Sequence, residues 1–105
     1  MAETPKYNVV VSERARQMLG MHIRFLAQVS PPAARKAKTA IIKAIRSLAV
    51  MPGRYPFFNE EYIPPNKYHR MFVEKWYLIL YQVRDDTVFV EYIVDCRQDY
   101  GWLVR

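Results

Sequence analysis

Five residues in the second half of the chain have side chains suited to acid–base chemistry on a phosphate without a metal. They are Lys67, His69, Arg70, Arg97 and Tyr100. Cleavage of RNA at a 2′-hydroxyl needs a base, an acid and cations that stabilise the phosphorane, and these residue types can fill those roles. Neighbouring aromatic rings could stack on bases. The alternative is that they are ordinary strand residues with packed stems and solvated charged tips.

Other catalytic chemistries lack the residues they need. The two histidines, His22 and His69, are far apart in the sequence, and Cys96 is the single cysteine. No pair of residues has metal-ligand spacing, and the three glycines are not clustered as in a phosphate-binding loop. Cys96 fits a small buried thiol better than a nucleophile. We therefore expect no metal, no cofactor and no disulfide.

The positive charge of the chain lies in its first half. The net charge is +6, and residues 1–50 contain nine Lys or Arg but only two Glu. Five of these cations fall in a predicted helix and form a candidate surface for binding RNA or an acidic protein: Arg35, Lys36, Lys38, Lys43 and Arg46. Such asymmetry indicates an anionic partner, either nucleic acid or an acidic protein, although a solvated basic helix face would look the same.

The sequence has no apolar run that approaches the roughly 20 residues needed to span a bilayer. Its first residues also lack the apolar stretch of a signal peptide. We expect a cytoplasmic protein that does not bind membranes.

The pattern of residues 6–50 predicts a strand followed by two helices. Residues 6–11 are rich in β-formers, and Ser12 then suits a helix N-cap. Apolar residues recur at helical spacing from Ala15 to Val29, and Ser30 with two prolines opens a second helix. A break this short predicts an αα-hairpin, which Pro52 and Gly53 close.

The rest of the chain predicts an antiparallel sheet after a long crossover. We expect a packed crossover over residues 51–66, with a helical turn near 57–62. Three strands follow at 67–73, 76–83 and 87–94, joined by two-residue turns at 74–75 and 85–86. The predicted fold is a single α+β domain over residues 1–105.

Alternation along these strands assigns side chains to two faces of the sheet. The two-residue turns predict that Val73 pairs with Trp76 and that Leu80 pairs with Glu91. The face expected to receive the helices carries Tyr68, Arg70, Phe72, Tyr77, Ile79, Tyr81, Val83, Val88, Val90, Tyr92 and Val94. The opposite face, which includes Lys67, His69 and Trp76, is expected to be partly open. Arg70 on the apolar face would need an ion pair, or a strand bulge would reverse its assignment.

The order of these elements resembles the RelE/ParE toxin superfamily, the toxins of bacterial type II toxin–antitoxin modules. The resemblance covers nearly the whole chain. It rests on Tyr-His-Arg at 68–70, Tyr-Leu-Ile-Leu-Tyr-Gln-Val at 77–83 and Val-Asp-Cys-Arg-Gln-Asp-Tyr at 94–100. It implies a growth inhibitor neutralised by a small antitoxin protein. Relatives similar to RelE cleave mRNA on the ribosome, and relatives similar to ParE poison DNA gyrase without cleaving RNA.

The sequence departs from the RNA-cleaving relatives at several positions. Leu78 replaces an arginine, His69 and Met71 replace lysines, and Gln98 replaces a second arginine, whereas Tyr100 matches their tail tyrosine. His69, Arg97 and Tyr100 would then form a substitute catalytic set, or cleavage has been lost. We expect mRNA cleavage, with His69 or Tyr100 moving protons and with Lys67, Arg97 and Arg70 binding the phosphate. The alternatives are gyrase inhibition and a non-toxic binding domain with the same fold.

Overall fold

The computed structural model describes residues 6–97, which form two helices and a four-stranded sheet. The elements are β1 (Asn8–Val11), α1 (Glu13–Val29), α2 (Pro31–Ser47), β2 (His69–Val73), β3 (Tyr77–Arg84) and β4 (Thr87–Asp95). The sheet order is β1-β4-β3-β2, in which β2, β3 and β4 are antiparallel neighbours. The predicted α+β class and element order are confirmed. Because β1 pairs in parallel with β4, the complete sheet is mixed.

The two helices begin where the sequence predicts. The Ser12 side chain accepts a hydrogen bond from the Ala15 amide, and the Ser30 side chain accepts one from the Ala33 amide. Each bond satisfies a backbone donor that a helix start leaves unpaired. Pro31 occupies the first turn of α2, where its missing N–H costs nothing. The helices form the predicted antiparallel hairpin on one face of the sheet.

The main core lies between this hairpin and the sheet. Buried residues of three strands pack against Ala15 of α1, Ile41 and Ile45 of α2, and Leu48 just after α2. His22 of α1 is also buried, and its Nε2 lies 2.7 Å from the carbonyl oxygen of Ile93. This polar contact joins the middle of α1 to β4. Phe25 and Val29 of α1 are exposed, whereas Leu26 packs against the core.

The predicted register of β2 is wrong. Val73 pairs with Tyr77 and not with Trp76, because Glu74, Lys75 and Trp76 form a three-residue connection. The extra residue exchanges the two faces of β2. His69, Met71 and Val73 therefore share the helix-facing side with Tyr77 and Tyr81. Arg70 and Phe72, predicted on the helix-facing side, are exposed on the other side, so Arg70 needs no buried ion pair.

A β-bulge in β4 changes the second half of that strand. Leu80 pairs with Tyr92 and Tyr81 with Val90, so Glu91 is the extra residue and the predicted Leu80–Glu91 pair is wrong. Val88 and Val90 face the helices as predicted, but Tyr92 and Val94 face the other way. The two-residue turn at 85–86 is confirmed by the pairing of Arg84 with Thr87.

The crossover covers the face of the sheet that was expected to be open. Phe58 and Tyr68 are buried there with Leu78, Leu80 and Val94, which corrects the expectation of an exposed surface. The crossover also pairs with β2, since the Phe58 amide donates to the Tyr68 carbonyl and the Arg70 amide donates to the Pro56 carbonyl. Its helical turn lies at Pro52–Arg54 and not at 57–62.

In residues 6–97 neither helix has the combination of length and apolar character needed to cross a bilayer.

Candidate functional site

Arg97 and Asp95 form an ion pair at the end of β4. Arg97 Nε lies 3.1 Å from Asp95 Oδ1, and Arg97 Nη2 lies 3.2 Å from Asp95 Oδ2. The Arg97 amide donates to the same Oδ1 over 2.9 Å. Asp95 is almost fully buried, whereas the Arg97 side chain is 41% exposed. Hydrogen bonds to Asp95 raise the pKa of Arg97. The carboxylate therefore fixes a guanidinium that still reaches solvent.

Two aromatic rings flank this guanidinium. Its central carbon lies 5.1 Å from the Trp76 ring centroid and 5.9 Å from that of Tyr77. These distances allow cation–π attraction. Burial raises the pKa of the Tyr77 hydroxyl, the charge of Asp95 raises it further, and Arg97 partly offsets both. Tyr77 therefore stays a neutral hydroxyl beside the ion pair.

Two residues of the connection between β2 and β3, just before Trp76, have an unusual backbone conformation. Glu74 and Lys75 have φ values of 52° and 66°, in the left-handed region that few residues other than glycine adopt. The Trp76 carbonyl accepts a 2.8 Å hydrogen bond from the Cys96 amide, which links this connection to the residue before Arg97. Trp76 is nevertheless 49% exposed. Strained connections of this kind are concentrated at functional sites.

Arg97 and Trp76 form one wall of a cleft between the helices and the end of the sheet, which we call the Trp76 cleft. Its volume is about 270 Å³. The lining residues are Leu26, Ala33, Lys36, Ala37, Glu74, Trp76, Tyr77 and Arg97. The structure thus brings together a predicted catalytic residue, Arg97, and a predicted binding residue, Lys36. Sequence reasoning missed Trp76, Tyr77, Glu74 and Asp95, because the error in the β2 register placed Trp76 in a strand.

His69 lies in a different part of the molecule. Its Nδ1 is 2.7 Å from the Tyr55 carbonyl oxygen, and its ring stacks between Phe57 and Tyr81 at centroid distances of 4.3 and 5.2 Å. The Tyr81 hydroxyl donates to the Pro52 carbonyl, and burial raises the pKa of Tyr81 to about 12. His69 therefore links the crossover to β3 through one hydrogen bond and two ring contacts, as a structural residue would.

His69 and Arg97 are separated along β3. His69 pairs with Tyr81, whereas Arg97 follows Asp95, which pairs with Tyr77. Four residues of strand correspond to about 13 Å at roughly 3.3 Å per residue. The structure does not bring these two predicted catalytic side chains together.

The other predicted catalytic residues are not grouped around Arg97. Lys67 is exposed, with its Nζ 5.3 Å from the Tyr68 ring centroid. Arg70 is exposed on the face away from the helices. Tyr100 lies outside the described residues. Of the four predicted catalytic residues within 6–97, only Arg97 lines the Trp76 cleft, and the catalytic roles of all five stay predictions.

The predicted cations of α2 are all on the surface. Arg35, Lys36, Lys38, Lys43 and Arg46 are exposed, and α2 contains no acidic residue. Three of them, Lys38, Lys43 and Arg46, line a shallow depression with Thr39 and Ile42. We call these three cations the basic surface of α2. Lys36 lines the Trp76 cleft instead, and Arg35 lines neither the cleft nor the depression. The predicted binding set therefore does not form one surface.

Comparison with known proteins identifies the family. A family model described as the ParE toxin of the type II toxin–antitoxin system parDE matches residues 9–100. The chain belongs to the ParE toxin family. No curated protein sequence matches it. A solved structure titled "Chromosomal ParDE TA system from P. aeruginosa" superposes with a TM-score of 0.70 at 15% identity and covers 88% of this chain and 98% of the other. That likeness shows the fold, and membership of the ParE toxin family implies a cognate antitoxin.

Proposed function

We propose that this ParE-family toxin inhibits growth by binding DNA gyrase, without cleaving RNA, and that its antitoxin binds the basic surface of α2. The observation that carries the first part is the separation of His69 from Arg97. The family match supports the same choice over mRNA cleavage, the mechanism that the sequence favoured.

Cleavage at a 2′-hydroxyl needs an acid and a base on opposite sides of one phosphate, each within hydrogen-bond reach. The β3 residues that pair with His69 and with Asp95 are about 13 Å apart, and β2 and β4 lie on opposite sides of β3. His69 and Arg97 are therefore too far apart for both to act on a single phosphate. His69 Nδ1 is also occupied by the Tyr55 carbonyl, and its ring is stacked on both sides. These contacts support a structural role for His69 in a toxin that acts by binding.

One observation favours mRNA cleavage as a second candidate. Arg97 and Lys36 line the same cleft, so two cations are available to one anionic group. Tyr100 follows Arg97 by three residues and matches the tail tyrosine of RNA-cleaving relatives. In this mechanism Tyr100 would replace His69 as the proton-transfer group.

The antitoxin part of the proposal rests on charge. The basic surface of α2 presents three cations to solvent, and none of them forms an ion pair with a carboxylate of residues 6–97. An acidic segment of an antitoxin would supply the missing carboxylates and would be attracted to this surface at long range.

Two reactions with the purified chain test the mechanism. In one, DNA gyrase supercoils relaxed plasmid in the presence of increasing toxin. In the other, translating ribosomes carry a defined mRNA whose new 5′ ends are mapped. We expect that the toxin stops supercoiling by gyrase and leaves the mRNA intact, and that the antitoxin restores supercoiling. New ends within codons while supercoiling continues would instead establish the second candidate.

A further inference from the structure

We infer that the Trp76 cleft is the contact site for the protein target and that it binds an acidic side chain whose stem is apolar. This inference rests on the proposed function, since the target it names is gyrase. It assigns target binding and antitoxin binding to two separate surfaces of the toxin.

The cleft is organised before any partner arrives. Asp95 holds two nitrogens of the Arg97 guanidinium, and Trp76 lies against that group. The hydrogen bond from the Cys96 amide to the Trp76 carbonyl also holds the backbone of Trp76 next to the residue that precedes Arg97. Trp and Arg are among the residue types enriched at the energetic centre of protein interfaces. Because Asp95 holds its guanidinium, Arg97 has little side-chain entropy left to lose when a partner binds here.

The charges in the cleft fit one carboxylate better than a polyanion. Lys36 and Arg97 are opposed by Glu74 in the lining and by Asp95 behind Arg97. The two cations and two carboxylates cancel, so the cleft gives no strong field for the phosphates of RNA. A single carboxylate can still lie between Lys36 and the exposed part of Arg97, where charge-assisted hydrogen bonds fix its position.

The size and the apolar part of the cleft also favour a protein side chain. Leu26, Ala33 and Ala37 give the cleft an apolar part, and its volume is about 270 Å³. Such a space suits one large side chain with an apolar stem resting on Trp76 and the alanines. The stem of a glutamate, or an apolar residue next to an acidic one, satisfies these requirements.

The experiment compares toxin variants for gyrase inhibition and antitoxin affinity. Lys36→Glu changes an exposed residue of the cleft, so the fold should be preserved, which circular dichroism can check. We expect the toxin concentration for half-inhibition of supercoiling to rise at least tenfold, with unchanged antitoxin affinity. Trp76→Ala should act in the same direction, and Trp76→Phe should keep most of the inhibition. Arg24→Glu carries the same charge change on exposed α1 and should inhibit like the wild type.

Each outcome has a defined meaning. Wild-type protein that leaves gyrase active overturns the proposed function and this inference with it. Wild-type inhibition that Lys36→Glu and Trp76→Ala retain in full overturns only the inference. Loss of antitoxin affinity in Lys36→Glu, or an effect of the cleft variants on mRNA cleavage instead of supercoiling, also overturns it.

Discussion

Asp95 and Arg97, two residues apart at the end of β4, are joined by three hydrogen bonds that use both carboxylate oxygens. Asp95→Ala removes all three and leaves Arg97 to be hydrated. We expect the free energy of unfolding to fall by about 1–3 kcal/mol, the usual cost of losing buried hydrogen bonds. Urea unfolding measures this loss. The exposed Glu61 gives the matched control, and equal stability of Asp95→Ala and Glu61→Ala would contradict the structural role of the pair.

Two substitutions of His69 distinguish a catalytic role of this residue from a structural one. His69→Phe keeps a ring between Phe57 and Tyr81 but loses the bond to the Tyr55 carbonyl, whereas His69→Ala loses both. We expect His69→Ala to lower stability by about 1–3 kcal/mol and His69→Phe to lower it less. Both proteins should stop growth at temperatures where they are folded. A folded His69→Phe that no longer inhibits growth would mean that the imidazole itself is required.

The basic surface of α2 predicts a salt-dependent antitoxin complex. Reversing two charges with Lys38→Glu and Lys43→Glu should weaken binding at least tenfold, because carboxylates of the partner would then face like charges. Affinity of the wild-type complex should fall as salt rises from about 0.05 to about 0.5 M, since exposed ion pairs are screened. Isothermal titration calorimetry measures both effects. Lys75→Glu, an exposed change away from α2, is the control, and salt-independent affinity would point to an apolar contact instead.

We predict that the folded protein loses stability at high pH because two of its tyrosines are buried. Burial raises the pKa of Tyr81 to about 12, and burial with the nearby Glu91 and Tyr92 raises that of Tyr68 to about 12. The ordinary value of 10.0 applies to the unfolded chain. Folding therefore favours the neutral form of both tyrosines. Their contribution to the free energy of unfolding is complete below pH 10 and declines as pH rises towards 12.

Denaturant unfolding at several pH values measures this decline. Tyr81→Phe should be less stable than the wild type at neutral pH, because the bond to the Pro52 carbonyl is lost. The difference should shrink between about pH 10 and pH 12. Tyr62 is exposed, and Tyr62→Phe should leave the pH profile unchanged. A constant difference between Tyr81→Phe and wild type across this range would contradict the prediction.

The helical half of the fold was predictable because its signals are local. Ser12 and Ser30 accept hydrogen bonds from amides three residues ahead, and Pro31 fits the first turn wherever the helix packs. The turn at 85–86 was predictable for the same reason. Arg35, Lys36, Lys38, Lys43 and Arg46 were predicted to be exposed because the apolar stripe of α2 excludes them from the core.

The errors arise where distant contacts decide the structure. Glu74 and Lys75 adopt a left-handed backbone without the Gly or Asn that usually announces it, so the three-residue connection had no signal in the sequence. The bulge at Glu91 lies where the Ser12 amide and hydroxyl donate to the Val90 and Glu91 carbonyls. No local pattern in β4 reveals that contact. The Trp76 cleft depends on the corrected register of β2, which is why sequence reasoning recovered Arg97 and Lys36 but not their neighbours.

The parallel pairing of β1 with β4 has a consequence for synthesis on the ribosome. Ser12, just after β1, hydrogen-bonds to Glu91, 79 residues later in the chain. β1 therefore cannot pair until the chain has been synthesised through β4, which contains its partner residues. The helical hairpin can form early, but the sheet is completed last. Asp95 ends β4 and Arg97 follows it, so the Arg97 wall of the Trp76 cleft can form only after that strand has been synthesised.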